Sequence, residues 1–216
     1  MMQIYGFWRS AAMFRVRVAL NIKEIEAHEI PVNLDMDAQH DPAFLAINPQ
    51  GAVPAIVEEG HTPITQSMAI LEYIEELHPD PPLLPATPRE RARVRSLALV
   101  IAADTHPLIV PRVRTYLINN AGYDQDGVKR WIGHFVDSGL QTIERRLVAD
   151  AETGRFCHGD SVTFADLCLV SAVNIVDHMK LDVRPTPTVA RITAACREMV
   201  AFQRAHPSRQ SDFPAG

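Results

Sequence analysis

The period of hydrophobic positions changes along the chain and marks out its elements. Residues 3–7 alternate as a short strand, whereas residues 10–21 carry Ala12, Val16, Ala19 and Leu20 at helical spacing. Residues 29–34 alternate again, with Ile30, Val32 and Leu34 on one face, and residues 37–47 read as a short irregular helix. Residues 53–57 are apolar and strand-like. The turn chemistry of Glu58-Glu59-Gly60 leads into a short partner strand at 62–65. Ser67, Ile70, Leu71, Ile74 and Leu77 then make one apolar stripe on a helix. The order βαβ followed by ββα predicts a partly parallel sheet covered by helices.

Five prolines between residues 79 and 88 interrupt both periods. Each ring fixes φ and removes an amide donor, so neither a helix nor a central strand runs through. Beyond them strand signals vanish. A long helical pattern over 89–119 is expected to bend near Pro107 and Pro111, and further helices are expected over 124–150, 163–179 and 188–204. The tail after Pro207 is polar and reads as loose. The pattern therefore predicts an α/β domain over residues 1–80, a proline-rich linker over 81–88 and an all-helical domain over 89–212.

Composition narrows the function classes. With 216 residues, 47% hydrophobic and 22% charged, the chain is long enough for two small cores. The net charge of -5 gives no basic footprint for nucleic acid. No apolar run is expected to reach the roughly 18 residues that span a bilayer. The first residues enter a strand pattern without a leader, which points to a cytoplasmic protein. Cys157, Cys168 and Cys196 form no CxxC pair, and the nine histidines form no HExxH, so no metal site is expected. The cysteines read as reduced packing residues.

Three places where a strand meets a helix or turn carry the candidate chemistry. In Arg9-Ser10-Ala11-Ala12, Ser10 is placed to cap a helix. The same helix end collects unpaired amides and partial positive charge, which favours an anion, and a hydroxyl donor there stabilises a thiolate. In Asn48-Pro49-Gln50-Gly51-Ala52-Val53-Pro54, a proline stands where a strand should begin, which predicts an edge position or a cis Val53-Pro54 bond. In Thr65-Gln66-Ser67, an amide, a hydroxyl and a helix end together suit a carboxylate. Each is by itself only a cap or a turn. Ligands of open α/β sheets bind at such strand ends, and one peptide-like anion can touch all three.

These residues, with Phe7-Trp8, the run Arg15-Val16-Arg17-Val18-Ala19-Leu20, Asp104 with His106-Pro107-Leu108, and the segment from Gly159 to Asp166, make the chain resemble the zeta-class glutathione S-transferases, which include the maleylacetoacetate and maleylpyruvate isomerases. The resemblance covers essentially the whole chain. It implies a thioredoxin-like N-terminal domain followed by a helical bundle, a homodimer, and glutathione as cofactor. By the same resemblance Ser10 and Arg9 are the catalytic residues, with Ser10 beside the glutathione sulfur. Ala11, Ala12, Gln39, Val53, Pro54, Gln66, Ser67 and His106 are the other cofactor-binding positions. Arg9, His106, Val110, Arg112 and His178 are the positions that face the second substrate.

The sequence also departs from the family pattern. Ala11 and Ala12 stand where a second serine and a cysteine or threonine are usual. Ile109 and Val110 replace a polar pair, and His178 replaces an arginine. The resemblance thus implies a transferase that presents the glutathione thiolate to a small electrophile, with cis-trans isomerisation of maleylacetoacetate or maleylpyruvate as the alternative. A non-catalytic binding module on the same fold is the reading from another class. A thioredoxin-type redox enzyme is a third, and the lack of a cysteine near Ser10 counts against it. Thr163 and Asp166 are expected to form a capping box for a buried helix, with Val162 and Leu167 as its hydrophobic staple.

Overall fold

The computed structural model describes residues 2–214, which divide into two compact units. The first comprises residues up to Leu83 together with residues 197–214. Its strands β1 (Gln3–Gly6), β2 (His28–Pro31), β3 (Ala55–Val57) and β4 (Ile64–Thr65) form one sheet in the order β2-β1-β3-β4. β1 runs parallel to β2 and antiparallel to β3, and β3 runs antiparallel to β4. A parallel pair needs a crossover connection, and α1 (Ala11–Ile22) supplies it. α2 (Pro42–Leu45) is a single turn, and α3 (Ser67–Leu77) follows β4. Met13, Val16 and Leu20 of α1 meet Ile70 and Ile74 of α3 over Ile4 and Ile56 of the sheet. This is the core that the two apolar stripes predict.

Strand β2 stops at Pro31, so Leu34 does not continue its apolar face as expected. The Asn33 side chain accepts from the Asp35 amide at 3.0 Å and starts a 3₁₀ turn over Leu34–Met36. Proline has no amide for a ladder, and the asparagine offers the backbone a local alternative.

Helix α1 is buried almost all round. On its other side lies α9 (Val200–Ala205), with the Phe14 and Phe202 rings 6.3 Å apart and Asn21 Nδ2 donating to the Ala201 carbonyl at 3.0 Å. The last residues are not loose. The Trp8 amide donates to Asp212 at 2.9 Å, and the Trp8 ring meets Phe213 edge-on at 4.9 Å. The expected boundary of 89–212 for the helical domain therefore differs at its far end, because burying the outer face of α1 recruits residues 197–214. The near boundary falls between Leu83 and Leu84. Buried Lys23 and Glu75 pair at 2.7 Å there, and Glu75 accepts from the Leu83 amide at 3.1 Å.

The second unit, Leu84–Cys196, is all helical. The expected long helix over 89–119 is divided into α4 (Pro88–Leu99), a π-helical stretch Val100–Thr105, a 3₁₀ turn His106–Leu108 and α5 (Pro111–Ala121). Within Pro88–Ala121 one window of 18 residues reaches a mean hydropathy of 1.2, apolar enough by length and composition to cross a membrane, against the expectation that no run would be. Here its apolar residues Val94, Leu97, Ala98, Ile101 and Ile109 are buried in the helical core.

Helices α6 (Gln125–Ala149), α7 (Phe164–Met179) and α8 (Pro187–Arg197) complete the unit. Glu144 of α6 accepts from the Thr188 and Val189 amides at 3.0 and 2.8 Å, so a side chain from one helix caps the next. The capping box of α7 forms as expected. The Asp166 carboxylate is fully buried. It accepts from the Thr163 amide at 2.8 Å, the Thr163 hydroxyl at 2.9 Å and the Cys157 amide at 2.8 Å. Burial pushes its carboxyl up from the ordinary range, while these bonds pull it down.

Candidate active site

The sheet register brings the three strand-end segments of the first unit to one edge. Tyr5 pairs with Ala55, and Ala55 pairs with Thr65. The residues after β1, before β3 and after β4 therefore leave the sheet on the same side. Those residues are Phe7–Ser10, Val53-Pro54 and Gln66-Ser67.

Ser10 is the N-cap of α1, with φ -67° and ψ 118°. Its Oγ accepts from the Met13 amide at 3.2 Å. The cap uses a lone pair and leaves the hydroxyl proton to donate elsewhere. No acidic side chain lies in the first turn of α1. The positive end of the helix dipole is thus uncompensated from within that turn. Ala11 and Ala12 follow, both buried, so their contribution there is backbone.

Asn48 shapes the next segment. It is buried, its Oδ1 accepts from the Gln50 amide at 3.1 Å, and its Nδ2 donates to the Ala52 carbonyl at 2.5 Å. Gly51 adopts φ +60°, where a side chain would also press on the Gln39 carbonyl at 3.2 Å. The Val53-Pro54 bond is cis, as the misplaced proline predicts. Gln66 stands before α3 at φ 71°, a conformation that non-glycine residues seldom adopt and that tends to mark functional positions. Its Nε2 donates to Gln50 Oε1 at 2.7 Å, which joins the second and third segments. Ser67 opens α3, 7% exposed, and its Oγ accepts from Arg15 NH1 at 3.2 Å.

Gln39 is 6% exposed, in a 3₁₀ turn over Ala38–His40. Its Nε2 donates to Asp37 Oδ1 at 2.8 Å, while its Oε1 is buried without a hydrogen-bond partner among the described residues. Arg9 is 36% exposed and is engaged by the Asp35 carboxylate, with its guanidinium over the Phe7 and Trp8 rings at 5.4 and 5.6 Å.

The remaining candidates lie in the helical unit. Half-buried His106 opens the 3₁₀ turn, which is tied to α6 by Trp131 Nε1 donating to the Leu108 carbonyl at 2.8 Å. Val110 is the N-cap of α5, and Arg112 is exposed in its first turn. His178 is exposed in the last turn of α7.

Sequence reasoning missed three participants. In the sequence Gln50 stands in a turn-forming run that assigns it no role, Asp35 carries no periodic signal, and Arg15 reads only as part of a motif. Their partners lie 16, 26 and 52 residues away, so no local pattern reveals them.

A helix end with a spare hydroxyl, a cis-proline turn and a strained residue before a second helix end, on a mixed sheet, define a glutathione S-transferase type of N-terminal domain. The family profile for that domain, the glutathione S-transferase N-terminal domain, matches residues 1–76. The crystal structure of maleylacetoacetate isomerase from Methylobacterium extorquens AM1, with bound malonate and glutathione, is 51% identical. It covers 99% of this chain and 100% of its own, with a TM-score of 0.96. A maleylpyruvate isomerase structure, a bacterial glutathione S-transferase in the zeta class, is 38% identical over 98% of this chain and 100% of its own, with a TM-score of 0.94. The maleylacetoacetate isomerase of Pseudomonas aeruginosa is 39% identical over 99% of this chain and 100% of its length. The chain belongs to the zeta-class glutathione S-transferase family of maleylacetoacetate and maleylpyruvate isomerases.

Proposed function

We propose that the chain is a glutathione-dependent enzyme that activates the glutathione thiolate at the edge of the first unit's sheet and presents it to a small electrophile. The observation that carries this reading is the convergence of Ser10, Val53-Pro54 and Gln66-Ser67 on one sheet edge. The donor set fits a peptide with a sulfur and a carboxylate. Amides and hydroxyls stand at two helix N-termini, and Gln39 Oε1 is a buried acceptor with capacity to spare. Glutathione supplies a nucleophilic sulfur, which remains in the product of a transferase and departs again from the product of a cis-trans isomerase.

The chain's own part is electrostatic. Ser10 donates its hydroxyl proton to the sulfur while the Met13 amide occupies its oxygen. The end of α1 adds partial positive charge, and both effects favour the thiolate over the thiol. Gln66 and Ser67 hold the γ-glutamyl end, and Val53 holds the cysteinyl backbone. The same reading includes a homodimer in the cytoplasm.

A second, finer reading is isomerisation of a cis-unsaturated diacid such as maleylacetoacetate or maleylpyruvate. The relatives' activities and the malonate bound in the 51% identical structure favour it. The present side chains weigh against it. Asp35 already pairs with Arg9, and His178 stands where the family resemblance implies an arginine, whose planar fork binds both oxygens of a carboxylate. Turnover of maleylacetoacetate, maleylpyruvate and an aryl halide, each with glutathione, separates the readings. We expect conjugation of the aryl halide and slow isomerisation. Isomerisation on the order of 10 per second or more would reverse that preference. Glutathione binding without turnover of any of the three would leave a binding module.

A further inference from the structure

Resting on the glutathione reading, we propose that Arg15 is a positioning residue of the site, which directs the Ser67 hydroxyl proton toward the γ-glutamyl carboxylate. Arg15 lies in the middle of α1, only 1% exposed. Burying a guanidinium costs free energy unless hydrogen bonds compensate it, so a core position occupied by arginine calls for a reason. Its neighbour Arg17 has a scaffold reason. It pairs with Glu29 and donates to the Phe7 and Trp8 carbonyls at 3.4 and 3.3 Å. Arg15 reaches the other helix end of the site, where NH1 donates to Ser67 Oγ at 3.2 Å across 52 residues of sequence.

The chemistry of the pair sets the direction of the bond. A guanidinium has five donors and no acceptor, so the serine oxygen must accept from it. A hydroxyl has a single proton, and that proton is then left to donate to another group. At the first residue of α3, at the positive end of the helix dipole, the group that suits it is an anion. Arg15 thus does for the carboxylate end what the Met13 amide does for Ser10 at the sulfur end. In each case a buried donor occupies the serine oxygen and turns the proton toward the ligand.

The test is a double-mutant cycle read by calorimetric titration with glutathione, with melting curves of the free proteins as the check on folding. Ser67→Ala is expected to weaken binding, and Arg15→Met to weaken it about fivefold, the loss of roughly 1 kcal/mol. The double variant is expected to bind no more weakly than Ser67→Ala alone. With a glutathione analogue whose γ-glutamyl residue is replaced by 4-aminobutanoyl, and which therefore lacks that carboxylate, the effect of Arg15→Met is expected to vanish. Wild-type affinity in a folded Arg15→Met variant, or strictly additive losses, would overturn the role of Arg15 and leave the glutathione site standing. Failure of the wild-type chain to bind glutathione would instead overturn the site itself. Should Arg15→Met not fold, the same cycle with Arg15→Lys decides, with coupling expected and additivity again fatal.

Discussion

Replacing Ser10 by alanine removes two bonds that can be measured separately. The first is the cap, where Oγ accepts from the Met13 amide at 3.2 Å. Losing an N-cap of this kind costs about 1 kcal/mol of stability. For a chain of this size that lowers the melting temperature by about 2–4 °C. The second is the proposed donation to the thiolate. A hydrogen bond to a charged group contributes about 1.5–3 kcal/mol, and one pKa unit corresponds to about 1.4 kcal/mol. The thiol of bound glutathione is therefore expected to titrate roughly one to two units higher in Ser10→Ala than in the wild type. The sign follows from the species stabilised, because a hydroxyl that donates to the thiolate favours it over the thiol, and removing that donor favours the thiol. Ultraviolet absorbance of the thiolate against pH, with saturating glutathione, reads the shift directly. Ser10→Thr keeps both the acceptor and the proton and should restore both values. A lowered melting temperature with an unchanged titration curve would confine Ser10 to its role as a cap. The α1 amides would then be left to hold the thiolate.

Two further predictions concern stability. Asp166→Ala leaves the Cys157 amide and the Thr163 amide and hydroxyl without their acceptor, at about 1–3 kcal/mol for each buried group, so the melting temperature should drop by roughly 10 °C or more while glutathione affinity per folded molecule holds. Undiminished stability with lost activity would make Asp166 a chemical participant instead. In the helical unit, Arg184 holds the Asp137 carboxyl below its ordinary range, chiefly through its side-chain hydrogen bonds. A lowered folded-state pKa means that the unfolded chain takes up the proton first as pH falls. The contribution of the pair is then fully present above the ordinary aspartate value of about 3.9 and fades as pH drops through the folded value. The difference in denaturant midpoint between wild type and Asp137→Asn should be constant near neutrality and shrink in acid, and a difference that grows in acid would contradict the assignment.

Features that depend on residues close together were readable from the chain alone. The periods of the apolar stripes placed α1, α3, α6 and α7 to within a residue or two. Ser10 and Thr163 announced helix starts because capping is a bond between neighbours. Pro54 announced an unusual peptide bond because the constraint lies in its own ring. The three site segments were therefore legible one at a time.

What joins them was not. The break of the helix after Leu99 and the return of residues 197–214 to α1 depend on which distant faces need cover. Packing of that kind has no signature in a local window. The pairing of Arg9 with Asp35, of Gln50 with Gln66 and of Arg15 with Ser67 arises only once the sheet register has carried those residues to one edge. By itself the sequence determined which side chains stand at strand and helix ends, since the preference is paid for by adjacent backbone groups. Only the tertiary structure decided how those side chains bond, and so what each serine hydroxyl has left to donate. A hydroxyl's direction is set by the partner that claims its oxygen, and for Ser67 that partner, Arg15, lies 52 residues away.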